Sequence, residues 1–429
     1  MAEKITQRIF IGNVPFAATE NDLIKFLKLP AQTEVEIPVF RYNPNRKIGF
    51  AFVTVDVALV EEVLKFNDEE MMGRKLKVAL GKPKDQSKPD KWQKKPEKAG
   101  ESAGVVMQSR PRRGIPQSEL NKLQKLRDSL GKMKVSDDDG SGAVKKATAK
   151  TAINVSRLQM VDVGANLTNF RYRENVEQVI SRALSSGVHK MIIASSTLED
   201  AQQALILAET LPGVLYCTVG VHPHEAKQWT PESGVLLRSL LDHPQVVAVG
   251  ECGLDYFRML SSTNKQLEAF EDQIVIACQT KKPLFVHDRD SHSDLTDKLL
   301  SHKASLPPTL IHCFTGTRKE ADFYIQRGFY IGITGFVSKP DKGAELRSIL
   351  KDKVIPLDRL VIETDCPFMM PNIPKEGFQG MDFTDIKQGR NNEPCTLVLV
   401  ADTIAKCYGV SLEEVVETTT RNAIQLFNL

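Results

Sequence analysis

The chain has 429 residues, 41% of them hydrophobic and 26% charged, with a formal net charge of +3. That length predicts more than one domain, and no apolar run approaches the roughly 18 residues a membrane-spanning helix requires, so no membrane partner is expected. The 7 cysteines all fall between Cys217 and Cys407 with no framework spacing, which predicts free thiols in a reducing compartment. The opening MAEKITQRIF lacks the basic-then-apolar layout of a signal peptide, so an intracellular protein is expected, cytoplasmic, nuclear or both.

Residues 5–82 read as strand, helix, strand, strand, helix, strand, a small α+β domain. RIFIGNV opens, with Ile9 and Ile11 on one face and Phe10 and Gly12 on the other. Thr19 caps a helix to about Leu27, with Glu20 and Asp22 in its first turn, where acids favour the helix dipole. Val35–Arg41 is predicted as the second strand, Asn43-Pro44-Asn45 as a turn and Ile48–Val55 as the third strand. A helix over Val57–Phe66 and a last strand over Lys75–Leu80 complete the unit. Alternation in IGFAFVTV puts Phe50 and Phe52 on the face opposite Ala51, Val53 and Val55, beside Phe10 of the neighbouring strand. Three phenylalanines on an open face call for a cover, and stacked bases supply one.

IFIGNV and IGFAFVTV resemble the two signature motifs of the RNA-recognition motif (RRM). The resemblance implies a βαββαβ fold that binds RNA or single-stranded nucleic acid by stacking bases on Phe10, Phe50 and Phe52. Ile48 stands where that family has Lys or Arg, and Lys47, one position earlier, is the candidate replacement phosphate contact. A sheet covered by a protein partner or by a helix is the competing reading.

Residues 83–157 change character. From Lys82 to Lys150 there are 18 Lys and Arg against 9 Asp and Glu, and few apolar residues. Such a segment cannot bury enough apolar surface to fold alone, so a mostly disordered basic linker is expected, able to attract nucleic acid by charge. One island is periodic: Leu120, Leu123, Leu126 and Leu130 predict a short amphipathic helix near 118–131.

From residue 158 to 429, strand and helix patterns alternate eight times, which fits a (β/α)₈ TIM barrel, an α/β fold. Val246–Asp255, VVAVGECGLD, opens as a continuous small-apolar strand that runs into a lone carboxylate, Glu251. PLFVHD delivers His287, TLIHCFTG His312, LVIETD Asp365, and LYCTVGVHPH both His222 and His224. The chain has 8 His, and four of them fall at these endings. Parallel strands of one barrel bring such ends together, and imidazole with carboxylate suits a divalent metal. Cys252, Cys313 and Cys366 each follow a candidate ligand by one residue, so strand alternation predicts that they point into the barrel wall.

VGVHPH, VGECGLD, HDRD, HCFTG, IGITG, ETDCPF and NNEP, in this order, are similar to the TatD family of metal-dependent deoxyribonucleases over essentially all of 158–429. The resemblance implies a metal-dependent hydrolase whose metal residues map onto Glu251, His287, His312 and Asp365, holding one or two ions. It places His222 and His224 near the metals or the scissile phosphate. Many members open with a His-x-His pair, where this chain has Gly164 and Asn166. Asn391 stands where the family often has a basic residue before NEP.

The implied roles are these. Glu251 bridges or orients the metals, and His287 and His312 bind as neutral imidazoles. Asp365 takes the proton of the activated water, and His224 and Arg289 contact phosphate. Arg289 has an alternative in a salt bridge to Asp288 or Asp290. Mg²⁺ or Mn²⁺ is expected ahead of Zn²⁺, because no cysteine stands in a clear ligand position. DNA is the expected substrate; RNA, aminoacyl-tRNA and a non-catalytic RNA-binding adaptor are the alternatives.

Overall fold

The computed structural model describes residues 6–15, 18–37, 39–40, 43–47, 50–80, 115–133, 155–375, 377–379, 381, 383–389 and 391–429. The linker segments 81–114 and 134–154 lie outside the described residues, and with them the expectation of disorder. The chain divides into two units, residues 1–113 with 230–239, and 114–229 with 240–429.

The N-terminal unit carries a four-stranded antiparallel sheet. In chain order its strands are β1 (Thr6–Gly12), β2 (Glu34–Glu36), β3 (Ala51–Asp56) and β4 (Lys77–Leu80), and in space they run β2-β3-β1-β4. Helices α1 (Glu20–Phe26) and α2 (Val60–Leu64) occupy the predicted places. The two central strands pair Ile9 with Val53 and Phe10 with Phe52. Alternation therefore sends Ile9, Ile11, Ala51, Val53 and Val55 into one apolar core with Val14, Leu23 and Leu76. Thr19 and Asp22 close a capping box at the start of α1, more than the N-cap alone predicted from the sequence.

The predicted second strand is shorter than expected. It ends at Glu36, and Val39–Phe40 instead forms a separate hairpin with Asn43–Lys47. Pro38, which has no N–H to give a ladder, separates the two in the sequence. The expected turn at Asn43-Pro44-Asn45 is thus a strand start.

Helix α3 (Gln117–Met133) matches the periodic island of the linker, and it packs on two barrel helices, α4 (Val176–Ser185) and α5 (Leu198–Thr210). Leu123 is fully buried. Glu119 is buried as well; it pairs with Lys122 at 2.5 Å and accepts from the first-turn Glu177 N–H of α4 at 3.5 Å. A carboxylate at that place complements the α4 dipole.

The second unit is an eight-stranded all-parallel sheet in sequential order: β5 (Met160–Ala165), β6 (Val188–Ile193), β7 (Leu215–Val219), β8 (Val246–Asp255), β9 (Leu284–Arg289), β10 (Thr309–His312), β11 (Tyr330–Ile333) and β12 (Leu360–Ile362). A parallel bridge between Ala165 and Cys366 joins the first strand to the chain just after the last, and closes the barrel. The predicted (β/α)₈ order is the one observed. Every residue of β8 is buried, as its unbroken apolar run requires. No single helix among the described residues is long and apolar enough to cross a membrane.

Candidate active site

The C-terminal ends of β7, β8, β9, β10 and β12 bring together the side chains that the strand endings pointed to. Glu251 is the meeting point. Its Oε1 lies 3.1 Å from His287 Nδ1, 3.2 Å from His222 Nε2 and 3.7 Å from His312 Nε2. Asp365 Oδ1 lies 4.0 Å from the same His312 Nε2. Two groups of possible metal donors result: His222, Glu251 and His287 on one side, and His312, Cys313 and Asp365 on the other.

Two of these imidazoles, His312 and His287, are aimed by a second buried group. Glu363 is fully buried, and its Oε2 stands 2.6 Å from His312 Nδ1 while its Oε1 accepts from the Cys313 N–H at 2.5 Å. With Nδ1 on Glu363, the Nε2 of His312 faces Glu251 and Asp365. This is the carboxylate–imidazole arrangement that orients metal-binding histidines. Asp255 does the same for His287, 3.2 Å from its Nε2, and also holds His224 Nε2 at 2.6 Å. Nδ1 of His287 is then left to face Glu251. The donor set, two carboxylates with imidazoles whose outer nitrogens are spoken for, fits a divalent cation.

His222 differs. Its Nδ1 accepts from the His224 backbone N–H at 3.0 Å, so the neutral ring carries its proton on Nε2 and donates it to Glu251. Both of its nitrogens are engaged, and His224 has one nitrogen on Asp255. Burial holds His222 down to about 4, which keeps it neutral. Burial also opposes protonation of His287 and His312, but the facing carboxylates outweigh it and raise them to about 9 and about 10. Asp365 is pushed up to about 7 by burial and by the Glu251 and Glu363 charges, against the pull of His312 and Asn166. Burial also raises Glu251, but His222 and His312 prevail and hold it well below the carboxylate range.

Gly164 and Asn166 acquire specific places. A Cβ on Gly164 would stand 2.5 Å from Glu363 Oε2 and 3.3 Å from His312 Nδ1, and one on Gly332 would stand 2.3 Å from Glu363 Oε1. Glycine on both sides makes the room that the Glu363 carboxylate occupies. Asn166 turns its amide nitrogen, 2.8 Å away, to Asp365 Oδ1. The Asp365 backbone sits at φ 48°, a conformation uncommon for a side-chain-bearing residue, and its N–H donates to Gly164 O at 2.7 Å.

Arg289 is on the rim. Its Nη1 donates to Thr315 at 2.9 Å, and its Nε is 3.8 Å from Asp290, so the ion-pair alternative is present at long range. The expectation for the cysteines holds for two and fails for the third. Cys252 turns its thiol to Phe285 O, and Cys366 is buried in the wall. Cys313 is at φ 48°, which breaks strand alternation and brings its Sγ within 4.8 Å of the His312 and Asp365 donor atoms. Burial, and then Asp365 and Glu363, raise its thiol well above the ordinary value.

Asn392 and Glu393 of NNEP are scaffold. The Asn392 amide donates to Thr364 O at 3.0 Å, and Glu393 takes both arms of Arg182 at 2.8 and 2.9 Å. Asp162 supports the same stretch from β5, accepting from the Thr364 N–H at 2.9 Å and its hydroxyl at 2.5 Å. Burial raises Asp162 to about 7.

On the sheet of the N-terminal unit, Phe10, Phe50 and Phe52 form one cluster, with ring centroids 5.5 to 5.6 Å apart. The Arg8 guanidinium lies 3.6 Å from the Phe52 centroid and pairs with Glu36 at 2.8 Å. The open face expected from the sequence is corrected here: Phe10 and Phe50 are buried and Phe52 is half-buried, with Arg8 over the Phe52 ring. Lys47 ends its strand, and its side chain lies outside the described residues.

Comparison with known proteins bears on the barrel. The family model described as TatD related DNase matches residues 161–428. A protein of Edwardsiella piscicida named 3'-5' ssDNA/RNA exonuclease TatD is 40% identical over 270 residues, 63% of this chain and 100% of that protein. Its namesake in Musicola paradisiaca is also 40% identical, over 98% of its length. Among solved structures, a hydrolase TatD family protein from Entamoeba histolytica is 30% identical with a TM-score of 0.56, covering 63% of this chain and 98% of that one. YJJV, a TATD homolog from Escherichia coli, is 28% identical with a TM-score of 0.55, covering 63% and 99%. With the family model matched over 161–428 and relatives 40% identical along essentially their whole length, this chain belongs to the TatD related DNase family.

Proposed function

We propose that this chain is a divalent-metal-dependent exonuclease that hydrolyses phosphodiester bonds of single-stranded DNA, and of RNA, with an N-terminal RRM that recruits single-stranded nucleic acid. The observation that carries the catalytic half is the position of Glu251, one carboxylate oxygen within 3.1 to 3.7 Å of three imidazole nitrogens. The single-strand and RNA terms come from the names of the relatives. The intact donor set speaks against a decayed, non-catalytic barrel.

Glu251, His287, His312 and Asp365 would hold the metal, and Mg²⁺ or Mn²⁺ suits a set with two carboxylates. When bound, the metal would activate water and neutralise charge on the phosphate oxygens. Glu363 and Asp255 keep the free imidazole nitrogens of His312 and His287 turned to Glu251. Asp365 keeps Oδ1 on the Asn166 amide, which leaves Oδ2 to take a proton from the attacking water. His222 holds Glu251 through its Nε2–H. Arg289, on the rim, is the candidate phosphate contact. His224 retains only Nδ1 for that role.

The test is degradation of end-labelled single- and double-stranded DNA and RNA by the full chain, with Mg²⁺, Mn²⁺, Zn²⁺ or EDTA. Shortening of single strands from the 3′ end with Mg²⁺ or Mn²⁺, stopped by EDTA, is expected. No cleavage of any strand with any of the metals would overturn the reading.

A further inference from the structure

Among the described residues of the barrel unit, six large apolar side chains are exposed. Five of them, Phe170, Phe257, Met259, Leu260 and Phe368, stand on the loops that leave β5, β8 and β12. The three phenylalanines are 69%, 63% and 48% exposed. An apolar rim of this kind is unfavourable in water unless something covers it.

These loops are fastened to the candidate site. The Phe368 N–H donates to Asp365 O at 2.9 Å, and the Phe257 N–H to Asp255 Oδ1 at 3.1 Å. Asn169, next to Phe170, donates its N–H to Asn166 O at 2.9 Å, and the Asn166 side chain holds Asp365. Each ring also has a guanidinium beside it. The Arg171 Cζ is 5.9 Å from the Phe170 centroid and 5.4 Å from that of Phe368. Arg289 Cζ is 5.1 Å from Phe257, and the same guanidinium is anchored on Thr315.

We propose that these are two stacking platforms for the bases on either side of the scissile phosphate. One is Phe170, Arg171 and Phe368 beside Asp365. The other is Phe257 and Arg289 beside His287. A flat ring with an adjoining guanidinium offers a π-face to any base, whatever its identity, and a cation to the neighbouring phosphate. Bases must be unpaired and splayed to use both platforms, so they select single strands and tolerate any sequence. The proposal rests on the nuclease reading above and adds the residues that hold the substrate's bases.

The experiment uses the full chain and an end-labelled single-stranded DNA, beside a matched strand with abasic positions at its last two 3′ residues. Phe170→Ala with Phe368→Ala, and Phe257→Ala alone, are compared with Phe257→Tyr, which keeps the π-face. Each alanine variant is expected to raise KM by at least about fivefold, the equivalent of one lost stack, with kcat within about twofold. Phe257→Tyr restores the wild-type KM. On the abasic strand the wild type already shows the raised KM, and the alanine changes add nothing. Cutting by the wild type with KM unmoved in both alanine variants overturns the platforms and leaves the nuclease reading standing. Failure of the wild type to cut any single strand overturns that reading, and the platforms with it.

Discussion

The barrel mouth and the sheet of the N-terminal unit each concentrate their chemistry in a few side chains on neighbouring strands, but they are held in different ways. At the mouth three of the donors have a fixed partner behind them: Glu363 behind His312, Asp255 behind His287, Asn166 behind Asp365. On the sheet, three rings lean on each other at 5.5 to 5.6 Å with one arginine above them. A buried carboxylate or imidazole that loses its partner is left with an uncompensated polar group, which is costly. A ring that loses its neighbour forfeits only contact area. The mouth should therefore fail abruptly and the sheet by degrees.

The largest effect is expected at the shared carboxylate and the base. Glu251→Gln or Asp365→Asn should lower turnover of end-labelled single-stranded DNA by at least about 10³-fold, on the order of 4 kcal/mol of barrier, while circular dichroism stays that of the folded protein. Near-normal turnover of the Asp365→Asn protein would remove Asp365 from the role of base. A smaller loss is expected one layer out. Glu363→Gln should weaken Mn²⁺ binding by about 10- to 100-fold, measured by titration calorimetry, with activity partly restored at high Mn²⁺. Gly164→Ala should act similarly, since its Cβ meets Glu363 Oε2 at 2.5 Å; a Gly164→Ala protein with unchanged Mn²⁺ affinity would show that the Glu363–His312 pair has slack. The smallest change belongs to the sheet. Phe52→Ala should weaken binding of a short RNA by about 1–3 kcal/mol, read by fluorescence anisotropy, and wild-type affinity would favour a protein partner for that face.

The same contrast explains what could be read from the sequence. Glu251, His287 and His312 were legible because each interrupts an apolar run at a strand end, where parallel strands converge, and Asp365 because it follows the last strand closely. Their supports were not singled out. Glu363 and Asp255 lie close in sequence to ligands they resemble, and their spacing alone does not mark them as supports. Asp162 reads as a lone acid in an apolar strand, and only the fold shows Thr364 opposite it. Cys313 was misplaced because alternation holds only while the backbone is extended, and φ 48° ends it there. In the N-terminal unit the alternation gave the right faces. It could not say that Phe10 and Phe50 would be buried, since ring packing and the placement of Arg8 are tertiary facts.

One carboxylate, Glu251, faces both groups of donors. Calorimetric titration of the full chain with Mn²⁺, wild type against Glu251→Gln and Glu363→Gln, tests it most directly. Glu251→Gln is expected to weaken binding of every Mn²⁺ ion the wild type takes, whereas Glu363→Gln weakens only the one held through His312. Unchanged stoichiometry and affinity in the Glu251→Gln protein would contradict it.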